Sequence, residues 1–391
     1  MTHDEPQEIA APFAPGALRI LMISPAGVGG TTQYAHNLCN ALAGLGHRVS
    51  LATALDCEMA AFERHYELLG VFDRFKPRFG PLRAFFRHVR ELDPDIIHLQ
   101  GAQRPEFYWL LLKVLRRLTK ARFVWTPQDV VSNSKRGYHT RLLRATYAQM
   151  SHVFLNARQN ETALRELYGV ESDKITVLPI PDLVAFARTG LGRAIPPEIA
   201  EHDSSTPMVL CFGLIEPRKG IAELIEAFHK VSSRTNARLV IMGKPLTDLA
   251  PFEHVLQARP DLVQRVSLIP RYADFEEMNA LFEASTLVVL PYVAGWNSGV
   301  LASAYGFGKP VIATRVGGFD EVVEDGVTGL LVEPGDIDAL GEAMLSALEN
   351  ENLRARLAAG AKAAGQASSW DKVAQQTQIV YNLETIRVNG E

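Results

Sequence analysis

Two doubly wound α/β domains are what this sequence predicts, and three observations carry the prediction. The chain has 391 residues, and domains usually run to roughly 100–200 residues each. Short apolar runs rich in branched residues alternate with helical patterns along nearly the whole length, as in a parallel sheet covered on both faces. The opening strand, glycine-rich turn and helix then recur in form about 190 residues later.

Taken in order, the chain opens with a strand at Leu18–Ser24, the turn Pro25-Ala26-Gly27-Val28-Gly29-Gly30, and a helix from about Thr31. Tyr34, Leu38, Leu42 and Leu45 form one buried stripe of that helix, and Gly46 stands where a left-handed cap is wanted. A second strand runs from Arg48 to Thr53, with further strands expected at Asp95–Leu99, Arg122–Trp125, His152–Leu155 and Lys174–Leu178. The second series begins with Met208–Phe212, Gly213, a loop ending Arg218-Lys219-Gly220, and a helix from Ile221 to Val231. Strands follow at Arg238–Met242, Arg265–Leu268, Thr286–Leu290 and Pro310–Thr314. Prolines 179, 181, 196, 197 and 207 cluster between the two series. The expected division is a flexible N-terminus at 1–17, a first domain at 18–183, a linker at 184–207, a second domain at 208–370, and a C-terminal helix at 371–391 crossing back to the first domain. Ligands of such sheets lie beyond the carboxyl ends of the strands, so a shared cleft is expected between the domains.

Composition narrows the class. Hydrophobic residues make up 47% and charged residues 21%, which excludes a disordered or fibrous chain. The uncharged stretch 284–308 has the length of a spanning helix, but Pro291, Asn297, Ser298 and several glycines interrupt it. The first residues carry neither a basic start nor an apolar core of a signal peptide, so a cytoplasmic location is expected. Cys39, Cys57 and Cys211 are odd in number and widely spaced, as suits reduced buried thiols. Charge is divided unevenly. Residues 1–190 hold 23 Lys and Arg against 18 Asp and Glu, whereas residues 191–391 hold 17 against 26.

Gly27, Gly29 and Gly30, between a strand and a helix, allow backbone N–H groups to approach an anion. The alternative is a tight strand-to-helix turn without ligand. A dinucleotide fingerprint would need glycine at Thr32 and an acid ending the second strand at Thr53, so an NAD site is disfavoured. Lys219 and Arg218 lie past a strand end and ahead of a helix, where two cations can neutralise a diphosphate, although such surface pairs are commonly just solvated. Ser298 reads as an N-cap that would aim the N–H groups of Gly299 and Val300 at a phosphate. Asp93-Pro94-Asp95 and Asp336-Ile337-Asp338 have the form of a metal-binding pair, but the first precedes a strand on the edge away from the ligand side and Asp336 stands at a helix N-cap; no metal site is expected. His98, ending an apolar strand, reads as a core histidine rather than a ligand. Between Phe72 and Arg90 cations are interleaved with phenylalanines, and Leu82, Phe85, Phe86 and Val89 share one helix side. That face either lies on an anionic membrane surface through Arg83, Arg87 and Arg90, or packs on the sheet with the cations solvated. No nucleic-acid recognition module is present, and nucleic acid is not an expected partner.

Several motifs together resemble the family-4 retaining glycosyltransferases of the GT-B fold. They are Gly29-Gly30 with its helix, Gly46-His47-Arg48-Val49, Asp95-Ile96-Ile97-His98, Gly213 with Lys219-Gly220, Pro291-Tyr292, Ser298-Gly299-Val300, Gly308 to Thr314, Gly317-Gly318 with Glu321, and Asp325 to Val332. The resemblance covers about residues 18–390 and is most specific in the second half. It implies metal-independent transfer of a sugar from a nucleotide-sugar co-substrate, with no other cofactor. The implied catalytic residues are Lys219, Arg218, Gln128 and Asp129; the implied donor contacts are Gly29, Gly30, Gly213, Tyr272, Asn297, Ser298, Gly299, Val300 and Glu321.

Three departures stand out. The family's two glutamates, eight positions apart, are replaced by Gly295 and Ser303. Leu214 stands where an arginine is usual, with Arg218 able to substitute, and Gln128 replaces a histidine. Retaining transfer resembles a same-face departure in which the leaving diphosphate takes the acceptor proton, so no side chain need act as nucleophile. The expected function is transfer to a membrane-associated, lipid-linked glycan acceptor in surface polysaccharide assembly, from the cytoplasm or the inner face of the plasma membrane. The alternatives are an inactive partner subunit and a nucleotide-sugar epimerase on the same fold.

Overall fold

The computed structural model describes residues 16–389 except 74–75, 102–103, 129, 131–136, 202, 204 and 296–297. The first series of elements is β1 (Arg19–Ser24), α1 (Gly30–Gly44), β2 (Arg48–Ala54), β3 (Glu67–Asp73), β4 (Lys76–Pro77), α2 (Phe79–Leu92), β5 (Ile96–Gln100), α3 (Pro105–Leu115), β6 (Arg122–Thr126), α4 (Gly137–Tyr147), β7 (His152–Leu155), α5 (Gln159–Tyr168) and β8 (Ile175–Val177). The second is α6 (Ala185–Gly190), β9 (Met208–Phe212), α7 (Ile221–Arg234), β10 (Arg238–Met242), α8 (Ala250–Gln257), β11 (Val266–Ile269), α9 (Phe275–Ala284), β12 (Leu287–Leu290), α10 (Gly299–Gly306), β13 (Val311–Thr314), α11 (Phe319–Val322), β14 (Gly329–Val332), α12 (Ile337–Glu349), α13 (Glu351–Ala367) and α14 (Trp370–Asn389).

Two sheets result, ordered β4-β3-β2-β1-β5-β6-β7-β8 and β11-β10-β9-β12-β13-β14. The pairings of the central strands are parallel, and the short β3–β4 edge is antiparallel. In each sheet the order reverses once, between β1 and β5 in the first and between β9 and β12 in the second. Those reversals are where a doubly wound sheet leaves a crevice beyond its strand ends. The central strands are buried on both faces, which is why they read as unbroken apolar runs.

The chain divides into two compact units. One comprises residues 1–154, 167–176 and 371–391; the other comprises 155–166 and 177–370. In the first, α14 is anchored by Tyr381, whose hydroxyl meets His98 Nδ1 at 2.5 Å while Nε2 meets Thr126 Oγ1 at 2.6 Å. His98 is thus a satisfied core histidine, its pKa pushed down to about 3 by burial. In the second, Leu224, Ile225, Phe228 and Val231 of α7 and Leu340, Met344 and Leu345 of α12 form the core beside β9, β10 and β12.

The segment expected as a linker is more than a tether. It contains α6, whose buried Ala187 offers its carbonyl to Asn279 Nδ2 at 3.0 Å. The sequence reading did not include β3 and β4. Glu67, Gly70 and Asp73 break the apolar run of β3, which has only the two-residue β4 beyond it. The acidic pair at 93 and 95 has a local role. Arg19 bonds Asp95 at 2.8 Å and Asp93 at 3.0 Å, and Asp336 caps α12 through Ala339 N. Cys39, Cys57 and Cys211 are buried and free. Among the described residues no helix is long and apolar enough to cross a membrane.

Candidate functional site

In the second unit the strand reversal carries a cation and a helix N-terminus. Beyond β9, Gly213 has a φ of 109°, and a side chain there would come within 3.3 Å of Val300 Cγ2. Gly243 lies so close beneath that its Cβ would fall 1.7 Å from the Gly213 oxygen. A single 3-10 turn, Pro217–Lys219, then leads to Gly220, whose φ of 66° is left-handed. Its Cβ would be 1.8 Å from the Pro291 oxygen. Only glycine lets the head of α7 rest on the end of β12, and this close approach places Lys219 over Tyr292.

Lys219 Nζ lies 3.7 Å from the centre of the Tyr292 ring. That ring is only 1% exposed. Its hydroxyl meets Ser298 Oγ at 3.0 Å, and its carbonyl accepts from Thr314 Oγ1 at 2.5 Å. The half-buried ammonium therefore sits on a fixed aromatic platform. Arg218 is braced differently. Its carbonyl accepts from Val293 N at 2.9 Å, and its guanidinium pairs with Glu216 at 2.6 Å. Its Nη1 stands 2.8 Å from where a Cβ of Gly295 would be. Arg218 fills the space that a larger residue at 295 would need, and Glu216 already balances its charge.

Ser298 is the N-cap residue of α10, as the sequence reading has it, but its side chain makes no cap bond because its hydroxyl is engaged with Tyr292. Its carbonyl accepts the first intrahelical bond, from Leu301 N at 3.1 Å. The N–H groups of Gly299 and Val300 precede that bond and so have no acceptor within the helix. A Cβ at Gly299 would meet Leu183 Cδ1 at 2.3 Å, so Leu183 would have to shift, and at Gly306 one would meet Asp182 Oδ2 at the same distance.

Asp182 is 8% exposed, pairs with Arg188 at 2.8 Å and is hydrogen-bonded by Ser303. Burial pushes its pKa up to about 6 against the opposing pull of Arg188. This arrangement accounts for Ser303: a glutamate there would bring a second carboxylate against a buried one.

The remaining predicted residues divide. Tyr272 is 48% exposed. It follows Arg271, which is held by Glu277 at 2.6 Å and Glu198 at 2.8 Å. Glu321 does not stand free for a donor. Its two oxygens accept from Arg158 N at 2.7 Å and Gln159 N at 2.8 Å, closing the N-terminus of α5.

Gly29 and Gly30 lie in the first unit, as the sequence reading placed them, and the Gly29 N–H donates to Glu58 Oε1 at 2.7 Å. A carboxylate of the chain itself occupies the place read as an anion cradle. Gln128 is half-buried two residues past β6. Asp129 and Asn297 lie outside the described residues. Arg83, Arg87 and Arg90 are exposed on α2. Among the described residues no cluster has the makings of a metal site. Sequence reasoning missed Tyr292 as the lysine platform, Glu216 as the counter-charge of Arg218, and Asp182. Only Tyr292 had a local signal, the Pro291-Tyr292 pair itself.

With this geometry in hand, comparison with known proteins defines the class. Sucrose-phosphate synthase from Thermosynechococcus elongatus superposes with a TM-score of 0.72 at 21% identity, covering 94% of this chain and 99% of that one. Anabaena HepE in complex with UDP-glucose superposes at 0.71 and 19%, covering 94% and 99%. The fold is GT-B. A family model for glycosyl transferases group 1 matches residues 206–350, and one for glycosyltransferase family 4 matches residues 28–181. The phosphatidyl-myo-inositol mannosyltransferase of Mycobacterium leprae is 30% identical over 307 residues, covering 76% of this chain and 75% of that protein. The D-inositol 3-phosphate glycosyltransferase of Xylanimonas cellulosilytica is 30% identical over 253 residues, covering 59% of this chain and 57% of that protein. The chain belongs to the family-4 glycosyltransferases.

Proposed function

We propose that this protein transfers a sugar, with retention and without a metal, from a nucleotide-sugar donor to a lipid-linked glycan acceptor in surface polysaccharide assembly. The observation that carries the reading is Lys219 fixed on Tyr292 beside the N-terminus of α10. An ammonium and two helix N–H groups at one strand reversal suit a diphosphate. In the step proposed, the bond between the anomeric carbon and the diphosphate oxygen breaks, and the acceptor oxygen bonds to that carbon on the same face. The acceptor proton passes to the departing phosphate oxygen. Charge grows on the diphosphate, and fixed donors aimed at it lower the barrier most. Membership of the family and the UDP-glucose named for the HepE structure support the donor class.

The test of the donor is thermal stabilisation by a panel of UDP- and GDP-sugars, followed by a transfer assay. Stabilisation by at least one donor, lost in Lys219→Ala, is expected. Stabilisation by none supports the inactive-partner reading that Gly295 and Ser303 suggest, and epimerisation without acceptor supports the epimerase.

The membrane component rests on α2. Phe85, Val89 and Leu92 are buried, so the sheet takes most of the apolar face; Phe79, 86% exposed, remains with Arg83, Arg87 and Arg90. Basic residues near an anionic surface contribute about 1 kcal/mol each. Replacing the three arginines with glutamate is expected to abolish sedimentation with anionic vesicles while donor stabilisation persists. Wild-type protein that ignores such vesicles at physiological salt removes the membrane from the proposal.

A further inference from the structure

Helix α10 is held at both of its ends, and the second hold comes from the segment that the sequence reads as a linker. At its head, Ser298 Oγ meets the hydroxyl of Tyr292 at 3.0 Å, on the ring that also carries Lys219. At its foot, Arg188 Nη1 donates to the carbonyl of Gly306, the last residue of α10, while Nη2 pairs with Asp182 at 2.8 Å. A cation on the last carbonyls of a helix meets both their unpaired acceptors and the negative end of the dipole. The guanidinium also lies 5.2 Å from the centre of the Phe307 ring, which is stacked on Phe282. All of these residues belong to the second unit.

Asp182 has no part in the transfer step described above, yet its place is specified from several sides. It is buried, its Oδ1 accepts from Val184 N at 3.1 Å, and Ser303, in the body of α10, hydrogen-bonds to the carboxylate. Its backbone carbonyl accepts from Trp370 Nε1 at 2.9 Å. Burial raises its pKa to about 6 in spite of Arg188, so the folded protein holds this charge at a cost. A buried ion pair is seldom a net source of stability, and apolar residues of similar volume often serve better. What this pair does supply is geometry. With a Cβ at Gly306 falling 2.3 Å from Asp182 Oδ2, and one at Gly299 the same distance from Leu183 Cδ1, residues 182 and 183 lie against the two ends of the helix.

We infer that Asp182 is a positioning residue for the donor: through Arg188 and Ser303 it fixes α10 along its axis, and with it the spacing between the helix N-terminus and the Lys219 ammonium that a diphosphate must bridge. One residue of a helix rises about 1.5 Å. A slip of that size takes an N–H out of hydrogen-bond reach of a phosphate held on Lys219. The inference rests on the reading of this place as the donor's diphosphate site.

Titration of the full chain with inorganic pyrophosphate, UDP and GDP near neutral pH, with the melting temperature measured alongside, tests it. Asp182→Asn keeps the shape and removes the charge. Its melting temperature is expected to hold or rise, because the costly buried charge is gone, while affinity for the tightest of the three ligands falls at least fivefold. Hydrogen exchange over residues 299–306 is expected to quicken in the ligand-free variant. Unchanged affinity in D182N overturns the inference, and so does an affinity lost in step with the melting temperature, which marks a role in stability alone. Should D182N fail to fold, the double variant Asp182→Asn with Arg188→Met, which leaves neither charge buried alone, decides by the same two criteria. Wild-type protein that binds none of the three ligands also overturns it. Wild-type protein that binds one of them but turns over no nucleotide sugar would sink the transfer reading, and the variant titrations would still decide the role of Asp182.

Discussion

The two strand reversals of this molecule have the same topology and opposite chemistry. Between β9 and β12 the chain offers an ammonium on an aromatic platform beside the N-terminus of α10, with glycines clearing the approach. Between β1 and β5 it offers a carboxylate on the N-terminus of α1 and a buried row of amide and hydroxyl groups. The lesson is that the parallel sheet fixes where a ligand can go, whereas a few side chains at the strand ends fix what it can be. One reversal suits an anion. The other carries a carboxylate already seated on a helix N-terminus.

The most drastic way to break the comparison is to remove the close approach on which the cationic side depends. Gly220→Ala adds a methyl carbon 1.8 Å from the Pro291 oxygen at a left-handed φ of 66°. Backbone must move, so a loss of more than about 4 kcal/mol is expected in the second unit. Hydrogen exchange resolved by unit should show unfolding of the second unit while the first sheet stays protected; a native-like second unit would mean the loop tolerates displacement.

A smaller change removes the charge and leaves the scaffold. Lys219→Ala leaves the developing diphosphate charge uncompensated and is expected to cost about 2–4 kcal/mol of transition-state stabilisation, read as a fall in kcat/KM of about 30- to 1000-fold. Unchanged turnover would take Lys219 out of the mechanism. Arg218→Ala is expected to cost less, because Glu216 already pairs with that guanidinium at 2.6 Å.

The gentlest probe is pH, to which the two units should respond with opposite sign. Burial holds His98 and His36 of the first unit down to about 3 and about 4. The unfolded chain takes up their protons below about pH 6.5 while the folded unit refuses them, so their stabilisation is lost as pH falls from 6.5 toward those values. Asp182 of the second unit is raised to about 6. Its folded form keeps a proton that the unfolded form releases, so its contribution is full below about pH 4 and is lost as pH rises through 6. Each group changes stability by at most about 1.4 kcal/mol per pH unit. Against wild type, Asp182→Asn should flatten the pH 4–6 limb of the second unit's melting curve, and His98→Gln should flatten the acid limb of the first. Identical pH profiles in variant and wild type would show that these groups do not titrate with folding.

Local pattern was enough for much of this protein. Strands such as Arg19–Ser24, Met208–Phe212 and Arg238–Met242 were legible because a strand buried on both faces must be apolar throughout. Lys219-Gly220 and Ser298-Gly299-Val300 were legible because a strand end, a cation or small residue, and a helix start lie within a few positions of one another. The sequence by itself therefore determined the doubly wound class, the family resemblance and the neighbourhood of the cationic site.

Tertiary structure decided which of those groups are free to act. Glu58 reaches Gly29 across 29 positions, and Glu321 reaches Arg158 across 163. Asp182 finds Ser303 only because α10 is laid over it at Gly299 and Gly306. A carboxylate looks the same in sequence whether it waits for a ligand or already holds a helix N-terminus. Its partner is set by chain crossings that place distant residues within hydrogen-bond reach, and no local periodicity encodes those crossings.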